Sequence, residues 1–313
     1  MRTLVHPGPE TKPRLIAFES RVSTAIVQLR PGQPLIGQLF DALHRLGAHN
    51  GIAELVGGTF SPVSYCVPAD GTSERKVSYS ATRTTPRANL ILGAATLGSR
   101  GGNPFMHSHC VWISPEGTLQ AGHLWPETWI GQSPPAVVLH ALHGVDLVSA
   151  DDPETAMPVF TPQPGEDPTM PGNQRDHVGP NRSLIARVCP NEDITAAVKT
   201  LCASAGMRTA SIRGGIGSLI GATFAGSGAS GPVRVEGPGT EVATLVGLLT
   251  TNPAGEPEVT ITCTLVDKYG QVHAGTLVAG ENPVAVTFEL LILELNPISG
   301  ELDLPEHQKE ALA

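Results

Sequence analysis

The stretch PGQPLIGQLFDALHRLG at residues 31–47 returns in plan at residues 190–206 as PNEDITAAVKTLCASAG, and this repetition constrains the fold more than any other feature of the chain. A sequence that repeats itself builds one structural unit twice. In the first stretch Leu35, Leu39, Ala42, Leu43 and Leu46 recur at helical spacing; in the second Ile194, Ala197, Val198, Leu201, Cys202 and Ala205 do the same. Gly47 and Gly206 stand where a helix C-terminus takes a left-handed residue. Asp193 is placed to cap the second helix, and Pro34 suits the opening of the first.

The parallel continues downstream. Each helix leads into a β-like run with a Gly-Gly step, IAELVGGTF or TASIRGGIGS, and then to an apolar segment, NLILGAATL or EVATLVGLL. FMHSHCVWISPEGTLQAGHL from Phe105 aligns without a gap with EVTITCTLVDKYGQVHAGTL from Glu258. The alignment matches Cys110 to Cys263, Gly117 to Gly270, Gly122 to Gly275 and Leu124 to Leu277. Each copy closes on a further apolar strand, AVVLHALHGVDL or AVTFELLILEL. The sequence therefore reads as a tandem duplication of one α/β domain, residues 14–150 and 183–298. Residues 151–182, rich in Pro, Asp, Gly and Asn, are expected as an extended linker whose NQRDHVGPNR end could dock on a domain.

Composition sets the outer limits. The 313 residues accommodate two domains, and 40% hydrophobic content supports real cores. A net charge of −9 with scattered Lys and Arg offers no basic face for phosphate, so nucleic acid is not an expected partner. The five cysteines (Cys66, Cys110, Cys189, Cys202, Cys263) show no CxxC spacing and read as reduced, buried thiols. The N-terminus lacks a signal-peptide core and no run of 18 apolar residues occurs, so a cytoplasmic protein without a membrane span is expected.

The residues with chemical content are His107, His109 and His123. On a strand His107 and His109 point to one face. Ser114-Pro115-Glu116-Gly117-Thr118 has the Pro and Gly of a tight hairpin loop, which pairs Ser114 with Thr118. Ile113 then opposes Leu119, Val111 opposes Ala121, and His109 opposes His123. Three neutral imidazoles on one otherwise apolar face suit a divalent metal, Zn²⁺ first, and leave a coordination position open. A lone strand histidine is ordinarily a satisfied core or surface residue, but three converging rings without partners would be costly. The second copy has Thr260, Thr262 and Thr276 at the matching positions. It can keep the fold without the site, as an interface or a pocket wall.

Around the hairpin no general base stands out; Glu127, which follows it closely in sequence, is the candidate catalytic residue. Trp125 could line the pocket, and Arg83, Arg87 and Arg100 could bind a carboxylate, though solvated arginines are the commoner case. His140 and His143, at odd spacing, point to opposite strand faces and read as core or edge residues. GGIGSLIG near Gly214 lacks the lysine and the strand-helix context of a phosphate loop.

MHSHCVWISPEGTLQAGHL, with the Gly-Gly step and the proline-led helix, resembles the plants-and-prokaryotes conserved domain family (PPC, also PCC), as a two-copy prokaryotic member. Ala121 stands where the family often has Gly. The resemblance spans both copies, is fairly specific in the first and is degenerate in the second. It implies a mixed, largely antiparallel sheet flanked by helices, assembly as trimer-based homo-oligomers, and a metal on His107, His109 and His123. Plant members carry AT-hook segments that bind DNA; no such segment occurs in this chain. Two functions follow as expectations. One is a metal-dependent hydrolase, hydratase or lyase acting on a small anionic metabolite. The other is a non-catalytic regulatory or DNA-associated protein with a structural metal.

Overall fold

The computed structural model describes residues 2–166, 182–226, 231–252 and 254–296. Its main elements, in chain order, are β1 (Leu15–Glu19), β2 (Arg21–Gln28), α1 (Leu35–Arg45), β3 (Asn50–Val56), β4 (Ala88–Arg100), β5 (Asn103–Ile113), β6 (Leu119–Leu124), β7 (Ala136–His143), β8 (Val145–Asp151) and β9 (Pro158–Pro164). They continue with β10 (Ser183–Val188), α2 (Ile194–Ser204), β11 (Ala210–Leu219), β12 (Thr240–Thr251), β13 (Pro257–Val266), β14 (Val272–Thr276) and β15 (Val284–Glu294).

Two sheets carry the fold. The first runs β2-β7-β3-β4-β5-β6 and is extended past β6 by the short strands Val63–Cys66 and Arg83–Thr85. The second runs β10-β15-β11-β12-β13-β14, with β1 added beside β10. Counted from each helix, corresponding strands occupy corresponding places in the two sheets. Pairing is antiparallel except where β8 meets β4, so the sheets are mixed and largely antiparallel. The expected flanking by helices reduces to one helix of 11 residues per unit. The connection from β2 to β3 steps over β7 and carries α1, and that from β10 to β11 steps over β15 and carries α2; β4-β5-β6 and β12-β13-β14 are joined by hairpins, which need no helix.

Both helices form as their sequences dictate. Leu35, Leu39, Ala42 and Leu43 are buried in one core with Leu55, Leu97, Cys110 and Trp112. Ile194, Ala197, Val198, Leu201 and Cys202 are buried with Ile212, Ile261 and Leu290. Asp193 Oδ1 accepts hydrogen bonds from the amides of Thr195 and Ala196, satisfying two of the amides a helix start leaves open. Gly47 and Gly206 follow the helices at φ 70° and 69°. All five cysteines are free and buried.

Two expectations about boundaries change. Within residues 151–182, Pro158–Pro164 is a strand paired to β8, and Val159 and Phe160 are buried. Its prolines are tolerated because β9 pairs on one side only. Asp152 and Glu154, also in this segment, are buried in ion pairs with Arg187 (2.8 Å) and Arg14 (2.6 Å). Residues 167–181, with most of NQRDHVGPNR, lie outside the described residues. At the other end, β1 belongs to the second sheet, antiparallel to β10 with Leu15 opposite Val188. The halves are thus interlaced by strands and by a shared core that joins Ile52, Leu147 and Phe160 to Ile185 and Leu291. No helix among the described residues is long and apolar enough to cross a membrane.

Candidate metal centre

The hairpin of β5 and β6 has the register its turn chemistry predicts. The Ser114 amide donates to Thr118 O (2.9 Å), and Gly117 adopts φ 79°. Ile113 faces Leu119, Val111 faces Ala121, and His109 faces His123. One ring nitrogen from each of His107, His109 and His123 lies within 4.8 Å of the other two. His109 Nε2 is 3.1 Å from His107 Nε2 and 3.2 Å from His123 Nδ1. Trp125 stacks edge-on against His123 with ring centroids 4.9 Å apart.

The second half fixes which nitrogens face inward. His109 Nδ1 is 2.8 Å from the carbonyl oxygen of Val242, which can only accept, so Nδ1 carries the proton and Nε2 is left with its lone pair. His107 Nδ1 is 3.0 Å from both carboxylate oxygens of Glu289, which gives the same tautomer. With the rings neutral, lone pairs of His107 and His109 meet at hydrogen-bond distance with no proton between them. The centre calls for a cation. Non-ligating nitrogens held by a carboxylate and a carbonyl are the usual outer shell of metal-bound histidines.

The electrostatics agree. Burial pushes the His107 imidazole down, but the charge and hydrogen bond of Glu289, helped by Glu241, outweigh it and hold the ring above its ordinary value. Burial, then the neighbouring histidines, push His109 well below the normal range, and burial takes His123 to about 3. One positive charge is accommodated among the three rings, and a second proton is not. Glu241, on β12, has its Oε1 3.6 Å from His109 Nε2, and burial pushes its carboxyl up to about 8. Its Oε2 has no hydrogen-bond partner, and the half-buried Tyr79 lines the same cavity. Glu241 stands outside the group of atoms that share the 4.8 Å spacing.

The three histidines and Glu241 line a cavity of about 160 Å³ between the halves, walled by Phe105, Phe160, Met157 and Val286. Three further polar atoms on its lining, Trp125 Nε1, Ser149 Oγ and Thr287 Oγ1, are buried without partners. Arg100 also lines it, paired with Asp151 at 2.8 Å and placed over the Phe105 ring. Of the residues expected around the hairpin, the structure brings Trp125 and Arg100 to the cavity. Arg83, Arg87 and Glu127 are exposed and do not line it. His140 and His143 are buried elsewhere, hydrogen-bonded to Thr24 and Ser23.

Glu241, Glu289 and Tyr79 were not singled out in the sequence. The available signal was an acid set inside an apolar strand: Glu289 in VAVTFELLILE, whose first nine residues are all buried, and Glu241 leading EVATLVGLL. A buried carboxylate there needs a partner. The threonines matching the histidines are exposed or half-buried, and Thr262 and Thr276 pair their hydroxyls at 3.1 Å.

Residues 175–296 match the family model of the Plants and Prokaryotes Conserved (PCC) domain. The match falls on the half without the histidines. A search of curated proteins found no relative. Among solved structures, a plant- and prokaryote-conserved (PPC) protein from Pyrococcus horikoshii is 16% identical over 46% of this chain and 94% of its own, with a TM-score of 0.36. A metal-containing protein from Archaeoglobus fulgidus is 17% identical over 44% of this chain and 92% of its own, at 0.35. A hypothetical protein from Salmonella enterica is 24% identical over 37% and 78%, at 0.33.

Proposed function

We propose that this chain, which carries a PCC domain at residues 175–296, is a metal-dependent enzyme of hydrolase, hydratase or lyase type that acts on a small anionic ligand between two tandem copies of one fold. The observation that carries the reading is the meeting of His107 Nε2, His109 Nε2 and His123 Nδ1 within 4.8 Å, two of them in tautomers set by Glu289 and Val242. The donor set suits Zn²⁺ or a similar divalent ion. The matching strand order of the two sheets supports the duplication.

A divalent ion bound there supplies Lewis-acid activation of a substrate oxygen or a water. The residues of the chain do the rest. Glu289 and Val242 hold the rings in place. Glu241, a buried acid on the cavity lining with one oxygen that has no hydrogen-bond partner, takes and returns a proton of the reacting ligand. Arg100 offers its guanidinium to the ligand's anionic end. Trp125 Nε1, Ser149 Oγ and Thr287 Oγ1 supply hydrogen bonds, and Phe105, Phe160 and Met157 keep bulk water away. The catalytic role expected of the exposed Glu127 passes to Glu241.

The test is Co²⁺ substitution followed by titration with thiocyanate and small carboxylates. Changes in the visible spectrum, with about one ion per chain, support an open position facing the cavity. A spectrum unmoved by every anion means that Glu241 closes the shell, and the metal is then structural.

A further inference from the structure

The cavity that the histidines line has a second polar end at Arg100, and the strands set the distance between the two. His109, His107 and Phe105 alternate along β5 and so share one face. Arg100 ends β4 opposite Asn103, and its guanidinium lies over the Phe105 ring, 5.7 Å from the centroid. The Nε2 atoms of His107 and His109 meet between those two residues. From that meeting point back to Phe105 is about 10 Å of strand.

The outer end suits one carboxylate. The Arg100 side chain is 40% exposed and that of its partner Asp151 is 77% exposed, so the pair stands at the cavity mouth, where an ion pair is weak and exchangeable. Asp151 engages Nη2, and the guanidinium has further N–H groups to offer a second acid. Ser149 lies opposite Arg100 where β8 meets β4, and its buried hydroxyl has no hydrogen-bond partner. Among the described residues on the lining, no lysine or second arginine joins them. A phosphate, with more charge and more acceptor oxygens, finds too few donors there.

The inner end suits an acceptor oxygen. Trp125 Nε1 can only donate, is buried without a partner, and belongs to a ring packed on His123. Between the ends the wall is apolar: the Phe105 and Phe160 rings, 5.6 Å apart and tilted, with Met157 and Val286. The cavity volume of about 160 Å³ is that of an apolar site able to take a benzene ring. A metal–oxygen bond of about 2 Å and a charged hydrogen bond of about 3 Å leave roughly 5 Å of the span for the ligand. Groups on adjacent carbons fall short of that, whereas groups across a six-membered ring reach it. On the reading of this cavity as the substrate site of a metal centre, we infer that the substrate is an aromatic carboxylate with a hydroxyl or carbonyl oxygen across the ring, its carboxylate on Arg100 and Ser149 and its oxygen at the histidines.

The test is calorimetric titration of the full chain, with Zn²⁺ and again after chelator treatment, using 4-hydroxybenzoate, 2-hydroxybenzoate, lactate and phenyl phosphate. The first should bind about tenfold or more tightly than each of the others, since only it reaches both ends. Arg100→Gln should weaken 4-hydroxybenzoate by about tenfold or more and leave the metal content unchanged. Ser149→Ala should weaken it severalfold and serves in place of an Arg100 variant that fails to fold. The chelated chain should bind more weakly in the same order, because the strands and not the ion set the spacing. A chain that takes up no Zn²⁺ therefore sinks the metal reading alone, and the order of ligands still decides this one. Equal or tighter binding of 2-hydroxybenzoate, lactate or phenyl phosphate overturns the inference. So does an affinity indifferent to Arg100→Gln and Ser149→Ala, or no binding of 4-hydroxybenzoate at millimolar concentration.

Discussion

Both carboxylate oxygens of Glu289 lie 3.0 Å from Nδ1 of His107, so a strand near the end of the chain sets the tautomer of a histidine in its first half. Both side chains are largely buried, at 4% and 12% exposure. A carboxylate behind a metal-bound imidazole orients the ring and raises its basicity. Glu289→Ala should therefore weaken metal binding by about 10–100-fold while the fold persists. Competition with a chromophoric chelator measures this, and an unchanged affinity would show that Glu289 serves only packing.

The two hairpins should respond differently to substitution. His109→Ala removes the nitrogen common to both short contacts, and it should abolish stoichiometric metal binding. Thr260→Val, Thr262→Val and Thr276→Val should leave metal content unchanged, with stability losses within about 1 kcal/mol for the Thr262–Thr276 hydrogen bond. Elemental analysis of the two sets of variants decides. Metal retained in a His107/His109/His123 triple alanine variant would place the ion elsewhere.

Glu241 makes the metal-free protein sensitive to alkali. Burial raises its carboxyl from 4.5 to about 8 in the folded state. Between those values the folded chain keeps a proton that the unfolded chain has released, so stability falls as pH rises through the window. His107, also raised, acts in the same sense. His109 and His123 are lowered and act oppositely: their contribution is present above 6.5 and is lost as pH falls below it. Glu241→Gln should flatten the alkaline decline and raise Tm near pH 8, measured by thermal melts with chelator present. Parallel Tm profiles for the variant and the unaltered chain would contradict this charge assignment.

What could be read in the sequence was local. The SPEGT turn and the alternation around it specify the His109–His123 register, because loop chemistry and a period of two need no knowledge of the rest of the fold. The helix caps at Asp193, Gly47 and Gly206 are legible for the same reason. Glu241, Glu289 and Val242 reach the histidines through packing of one half on the other, which no local period encodes. Strand β9 was hidden differently: Pro158, Pro162 and Pro164 read as linker until an edge position removes the need for their missing amide hydrogens. Arg100 and Trp125, near the hairpin in sequence, reached the cavity; Glu127, equally near, turned to solvent.

That folded former linker leads to the last prediction. Arg187 on β10 donates to Asp152 Oδ1 at 2.8 Å and to Thr161 Oγ1 at 2.9 Å, and both charged side chains are almost wholly buried. Asp152 also accepts from the amide and hydroxyl of Thr155. Burial pushes this carboxyl up, but the Arg187 hydrogen bond and charge, with Thr155, outweigh it and hold it below its ordinary value. Its contribution to stability is therefore present above about pH 3.8 and is lost as pH falls through the folded-state value. Arg187→Met leaves the carboxylate buried and unpaired, which should cost about 3–5 kcal/mol in urea unfolding at neutral pH. The deficit should narrow on acidification, because protonation relieves the stranded charge in the variant while it removes the ion pair from the unaltered chain. Adding Asp152→Asn to Arg187→Met should recover much of the loss at neutral pH, since neither charge is then buried. A single variant with the same stability as the unaltered chain, or a deficit independent of pH, would mean that the pair does not tie the segment after β8 to the second sheet.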